Sequence, residues 1–209
     1  MLLPALNAAR EKGRSALCMG NLRQLGLATA MYLSNNNEII PPDVYTTATN
    51  RRASWLELLW SELGGNTAKL DAAKSSYAPG QRLKVAECPS DSHIRTPSEC
   101  PVVATCYLSY GLNGHIAANR RVTRLKEITH PSDQLLYTEV GFTSHSNGHS
   151  QALITVNGWI KPNHQQKYMT VFVGGNVRQL SERTMKAGGT HYTRLPWNIN
   201  LQKNPLPML

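Results

Sequence analysis

From residue 5 to residue 34 the apolar positions recur at alternating spacings of four and three. Cys18, Leu22, Leu25, Thr29 and Tyr32 fall on one face, and Leu17, Ala28, Met31 and Leu33 widen it. Arg10, Glu11, Arg14, Asn21, Arg23 and Gln24 occupy the other side. That period matches the turn of an α-helix, so the pattern predicts one long amphipathic helix. Pro4 suits its first turn, where a missing N–H costs nothing, and Asn35-Asn36-Asn37 followed by Pro41-Pro42 ends it. A second helix is predicted from Ser54 to Leu63: Ser54 and Glu57 form a capping box, and Gly64-Gly65 stops it. Its apolar residues Trp55, Leu56, Leu58, Leu59, Trp60 and Leu63 cover most of its circumference, which marks it as core.

After residue 83 the period shortens. Leu83–Ala86, Tyr107–Leu112, Gln134–Glu139, Ala152–Val156 and Tyr168–Val173 read as strands. Asn-Gly pairs beginning at Asn113, Asn147 and Asn157, together with Gly174-Gly175, supply turn positions between them. The expectation is an α+β fold in which a long N-terminal helix packs on a mostly antiparallel sheet with loop-rich insertions. One domain is expected, divided into a spine helix over 1–34, a globular head over 35–195 and an irregular tail over 196–209.

Composition changes this picture little. With 209 residues and 41% hydrophobic content the chain can bury a core, and 17% charged residues is too few for a disordered one. The sequence contains no run of about twenty apolar residues of the kind that spans a bilayer. A net charge of +9 favours anionic partners. The basic residues are scattered, however, with local pairs only at Arg51-Arg52 and Arg120-Arg121, which fits a solvated basic surface and not a nucleic-acid tail.

No catalytic constellation emerges, and the chain is read as a non-enzyme. Ser90 and Ser109 lie outside any nucleophile elbow. Glu87, Asp91, Asp133 and Glu139 could supply a carboxylate pair, but surface and turn roles account for them; Asp91 and Asp133 each follow Pro-Ser, where an Asp side chain closes a turn onto backbone amides. His145 and His149 lie four apart, with His164 beyond, yet Ser146-Asn147-Gly148 is turn sequence, so no metal and no cofactor are expected. Cys18, Cys88, Cys100 and Cys106 contain no C-x-x-C pair, which removes a zinc ribbon. Trp159 and Trp197, beside loop residues, are the candidates for ligand contact, with cover for the core as the plainer role.

Two stretches, Leu2-Leu3-Pro4-Ala5-Leu6-Asn7-Ala8-Ala9-Arg10-Glu11-Lys12 and Cys18-Met19-Gly20-Asn21-Leu22-Arg23-Gln24-Leu25-Gly26-Leu27-Ala28, are followed in order by four short motifs. These are Cys88-Pro89-Ser90-Asp91, Ser109-Tyr110-Gly111-Leu112-Asn113, His130-Pro131-Ser132-Asp133 and Val171-Phe172-Val173-Gly174-Gly175-Asn176-Val177. The series resembles prepilin-type proteins, the pseudopilins of type II secretion and related assemblies. The resemblance implies a pilin-like fold and a non-catalytic structural subunit of the cell envelope, at the periplasmic face of the inner membrane or outside the cell. Its partners would be other pseudopilins and secretion machinery, met through the N-terminal helix at Leu6, Ala9, Gly13 and Ala16. Where such proteins carry Phe-Ala-Asp-Gly-His-Val, this chain has Gly174 and Asn176 in place of the acid and the imidazole. The alternative on the same scaffold is an extracellular binding module for an acidic glycan or DNA.

An envelope location is oxidising, so disulfides are expected. Four cysteines can pair in three ways; Cys100 with Cys106, and Cys18 with Cys88, is the pairing expected first. The resemblance also implies an apolar half-helix and a cleavage and methylation motif preceding Met1. Without that segment the chain is expected to be mostly monomeric, because Leu6, Ala9, Gly13 and Ala16 are mostly small and bury little area. Adding a segment of about twenty apolar residues ahead of Met1 should move the protein to the inner membrane of a host with a prepilin peptidase. Fractionation and crosslinking check this, and an extended form that stays soluble and uncleaved contradicts it.

Overall fold

The computed structural model describes residues 3–42, 44–46, 51–53, 55–65, 70–71, 76–77, 83–92, 108–117, 123–140, 153–154, 160 and 162–186. Helix α1 runs Leu3–Asn35, about 50 Å at 1.5 Å per residue. Its buried residues are Cys18, Leu22, Leu25, Gly26, Ala28, Thr29 and Leu33; of the face expected from the sequence, Tyr32 is half-buried and Leu17 and Met31 are instead exposed, at 63% and 47%. Residues 3–10 are exposed throughout, so the first part of the helix projects from the head. Asn37 and Glu38 adopt left-handed φ of 52° and 59°, and the Glu38 N–H returns to the Leu33 carbonyl at 2.9 Å to close the helix end.

The main sheet contains β5 (Tyr110–Asn113), β6 (Leu135–Glu139), β7 (Leu153–Ile154), β8 (Lys167–Phe172) and β9 (Val177–Ser181) in the order β7-β5-β6-β8-β9. The pairs β5/β6, β6/β8 and β8/β9 are antiparallel, and only the short edge pair β5/β7 is parallel. Two ribbons stand apart from it: β1 (Val44–Thr46) with β2 (Arg51–Ala53), and β3 (Leu70–Asp71) with β4 (Ser76–Tyr77). The short helices are α2 (Trp55–Leu58), α3 (Gly114–Ala117) and α4 (Glu182–Lys186). A long helix on a predominantly antiparallel sheet is the α+β, pilin-like arrangement.

Side-chain alternation along β8 gives the sheet two apolar faces. Met169 and Val171 join the α1 face in the main core, while Tyr168 joins Leu135, Val140, Ile160 and Met185 in a smaller cluster. At Gly26 the helix backbone comes so near the sheet that a β-carbon there would lie 3.1 Å from Val171 Cγ2. One turn on, Thr29 Oγ1 and Tyr137 OH share a buried hydrogen bond of 3.0 Å, and the Tyr137 ring meets Trp55 with centroids 4.6 Å apart.

Several local expectations change. Leu83–Ala86 is not a strand: Lys84–Ala86 forms a 3-10 turn against α1, and its one cross-chain backbone bond, from Ser109 N–H to Ala86 O at 2.9 Å, does not extend into a ladder. The second helix is shorter than the apolar run, because Trp60 N–H turns to Glu57 O, three residues back, at 3.2 Å and the segment continues as turns. Its expected cap, Ser54, lies outside the described residues. Asn113-Gly114 is no hairpin turn; Gly114 opens α3, and the buried Asn113 side chain donates to Leu135 O at 3.0 Å. Strand β9 carries no clear sequence signal because its side chains are half-buried or exposed without a strict two-residue alternation, its position being set by backbone pairing to β8.

The two faces of α1 should answer differently to truncation. Leu22→Ala removes a fully buried side chain and should cost about 3 kcal/mol, whereas Leu27→Ala, at a side chain 64% exposed, should stay within about 0.5 kcal/mol. Urea denaturation of both variants checks this, and equal losses would contradict the packing described.

Candidate functional site

Four chemically active side chains meet in the interior where α1 first touches the head. Cys18 comes from α1, Cys88 from the segment just after the 3-10 turn, Glu139 from the last position of β6, and His164 from the turn entering β8. One ligand atom of each lies within 4.8 Å of all the others, and all four residues are buried. Glu139 is 0% and His164 1% exposed.

Each side chain is held from behind. Glu139 Oε2 accepts the Met169 N–H at 3.0 Å, which turns Oε1 toward the centre. There Oε1 lies 3.4 Å from Cys18 Sγ, 3.3 Å from Cys88 Sγ and 3.1 Å from His164 Nε2. His164 Nε2 is 3.2 Å from Cys88 Sγ. The opposite ring nitrogen, Nδ1, lies 2.7 Å from Glu11 Oε1 and 3.0 Å from Ser15 Oγ. Glu11 in turn accepts from Ser90 Oγ at 3.0 and 3.1 Å, and Tyr110 OH donates to Cys18 Sγ at 3.0 Å. The imidazole is aimed by an unusual turn: Gln165 and Gln166 both adopt left-handed φ, 50° and 63°, and Lys167 N–H closes onto His164 O at 3.0 Å. Non-glycine residues in that region cost free energy and persist where the surroundings fix them.

The electrostatics follow from these contacts. A hydrogen bond from Cys18 lowers the Cys88 thiol to about 7, despite burial, while the same contact with Cys88, reinforced by burial, raises Cys18. Burial alone would lower His164, but the bonds to Cys88 and Glu139 overcome it and push the imidazole up to about 10. Burial also raises Glu11, and hydrogen bonds from His164 and Ser90 reverse this and hold it low.

The candidates from sequence distribute unevenly over the fold. Cys18 and Cys88, the pair expected first, do meet in the interior; the structure holds them as free cysteines, both sulfurs within hydrogen-bonding distance of Glu139 Oε1 and that of Cys88 also of the His164 ring. Cys100, Cys106, Trp159, Trp197, His145 and His149 lie outside the described residues. Leu6, Ala9, Gly13 and Ala16 are all exposed on α1. Ser109 donates to Asp91 at 2.7 Å, and Asp133 pairs with Arg178 at 2.8 Å. The two Pro-Ser-Asp turns close through backbone, Asp91 N–H to Cys88 O and Asp133 N–H to His130 O, both at 3.0 Å; the Asp side chains bond elsewhere. Nothing in the sequence singles out Glu11 and Ser15 as site residues. Glu139 carries a signal, being a charge at the end of the apolar run Leu135-Leu136-Tyr137-Thr138, where only a buried partner makes it tolerable.

A protein-family model matches residues 7–179, a span that includes all four clustered side chains. The family is described as proteins of unknown function, DUF1559. No curated protein and no solved structure matches the chain.

Removing the imidazole leaves the buried Glu139 without the ring partner that lies 3.1 Å away, so His164→Ala should destabilise the protein by about 3 kcal/mol. Chemical denaturation of reduced protein checks this; a loss below about 1 kcal/mol would show that the ring does not hold the cluster together.

Proposed function

The chain belongs to the DUF1559 family, and on that premise we propose that it is a non-catalytic, pilin-like structural subunit of a type II secretion or related envelope assembly. The carrying observation is a second apolar stripe on α1. At 100° per residue, Leu6, Ala9, Gly13, Ala16, Leu17, Leu27 and Met31 fall within an arc of about 100°, turned away from the Cys18, Leu22, Leu25 and Thr29 face that packs on the sheet. All seven are exposed, Leu17 by 63%. A helix needs one apolar stripe to join a domain; a second, continued onto a projecting stem, suits packing against the helices of neighbouring subunits.

Small residues at Ala9, Gly13 and Ala16 permit close approach, and Leu6, Leu17, Leu27 and Met31 supply the buried area. Among the described residues no helix is long and apolar enough to cross a membrane, so anchoring at the inner membrane would depend on an apolar segment joined to this stem. The buried cluster fits a subunit better than an enzyme.

A photo-crosslinking residue at Ala16, in the full gene product expressed in its native host, should give envelope-associated ladders. Leu17→Glu with Leu27→Glu should abolish them while shifting the melting temperature by less than about 2 °C, since exposed substitutions barely change stability. If the ladders persist, or if the head instead binds an anionic polysaccharide saturably with α1 variants silent, the subunit reading fails.

A further inference from the structure

The cluster of Cys18, Cys88, Glu139 and His164 has no part in helix packing between subunits, yet it is the most constrained polar feature among the described residues. It gathers two sulfurs, a nitrogen and an oxygen from four separate segments onto one point. We propose that these four residues form a closed, structural binding site for a thiophilic divalent cation, with zinc as its occupant.

The geometry carries the proposal first. Zinc–sulfur bonds near 2.3 Å and zinc–nitrogen or zinc–oxygen bonds near 2.0–2.2 Å define a tetrahedron with ligand–ligand edges of roughly 3.3–3.8 Å. Four of the six edges here are 3.1 Å for nitrogen to oxygen, 3.2 Å for Cys88 sulfur to nitrogen and 3.3 and 3.4 Å for sulfur to oxygen, and the two from Cys18 sulfur to Cys88 sulfur and to the His164 ring lie within 4.8 Å. These four edges differ from the tetrahedral values by a few tenths of an ångström, which small side-chain adjustments would close.

The supporting contacts are those of a metal site. A ligating histidine characteristically gives its other ring nitrogen to a carboxylate, and His164 Nδ1 does so to Glu11 at 2.7 Å. One Glu139 oxygen is occupied by the Met169 amide, which leaves the other free to ligate, and the Tyr110 hydroxyl bonds Cys18 Sγ from outside the cluster. Two thiolates with one imidazole select zinc or a similar borderline metal over magnesium or calcium, which take all-oxygen shells. Four protein ligands with no access from solvent make the site structural and not catalytic.

With the ion bound, two thiolates, the Glu139 carboxylate and a neutral imidazole would sum to −3, and the divalent charge would reduce this to −1. A Cys18–Cys88 disulfide would account for two of the four groups and leave Glu139 and His164 buried against it for no purpose. The sequence-based expectation of no metal rests on the turn between His145 and His149 and on Gly174 and Asn176 in place of an acid and an imidazole; positions 18, 88, 139 and 164 are too far apart in sequence for their convergence to show there.

Cobalt tests the site directly. Full-length reduced protein titrated with Co²⁺ should develop intense visible absorption and a thiolate-to-cobalt charge-transfer band saturating at one ion per chain, displaced by one equivalent of zinc. Zinc should raise the melting temperature and a chelator should lower it. Glu11→Gln, at a partly exposed position, should fold and weaken zinc affinity by about 10–100-fold, whereas Cys100→Ser with Cys106→Ser should leave the cobalt spectrum unchanged. The proposal is overturned if the charge-transfer band is absent, if it vanishes with the Cys100 and Cys106 substitutions, or if metal-free protein from an oxidising compartment carries a Cys18–Cys88 disulfide.

Discussion

The close seating of α1 on the sheet is the contact on which the rest of this structure depends. It is set where Gly26 meets Val171 and where Thr29 bonds Tyr137, two interactions one turn apart that fix both the distance and the rotation of the helix. A β-carbon at position 26 would press on the Val171 side chain, which would have to give by a few tenths of an ångström, and interiors packed at crystal density have little room to yield. Once the helix is locked in this rotation, Cys18 must point inward and Leu17 outward. The inner and outer chemistry of α1 are thus two results of one packing decision.

That decision also explains what can be read from the sequence. The spine helix and strands β5, β6 and β8 are legible because each has a buried face, and burial imposes a period on the residues. Strand β9 and the 3-10 turn at Lys84–Ala86 are not, because one is placed by backbone pairing at an edge and the other by contact with a helix distant in sequence. The meeting of Cys18 with Cys88 is expected from sequence as a disulfide pairing, and the structure brings Cys88 there from the segment after the 3-10 turn and not from a strand end. Glu139 and His164 cannot be added to them from sequence, since their convergence is a product of tertiary structure.

The polar cluster and the apolar core are complementary constraints. Apolar packing tolerates small slips, as hydrophobic contact has no direction. Hydrogen bonds between buried groups do not, because a displaced partner leaves a desolvated charge behind. With Cys18, Cys88, Glu139 and His164 each from a different segment, their mutual contacts index the helix, the loop after the 3-10 turn, β6 and the entry to β8 against one another. The left-handed pair Gln165 and Gln166 fits this role, as a costly backbone shape is retained where a ring must be aimed.

The cluster's position along α1 has a mechanical consequence. Glu11, Ser15 and Cys18 are the first helix residues bonded to the rest of the described head, while the preceding exposed stem, residues 3–10 and about 12 Å long at 1.5 Å per residue, stands out as a lever. Any pull or bend applied to that lever is concentrated at its fulcrum, where the joint is a set of directional polar contacts and not a greasy surface that can creep. Load along the stem would therefore be resisted as at a rivet, up to a threshold, and failure would start by tearing Glu11 from His164 before the Leu22 and Leu25 packing behind it is disturbed.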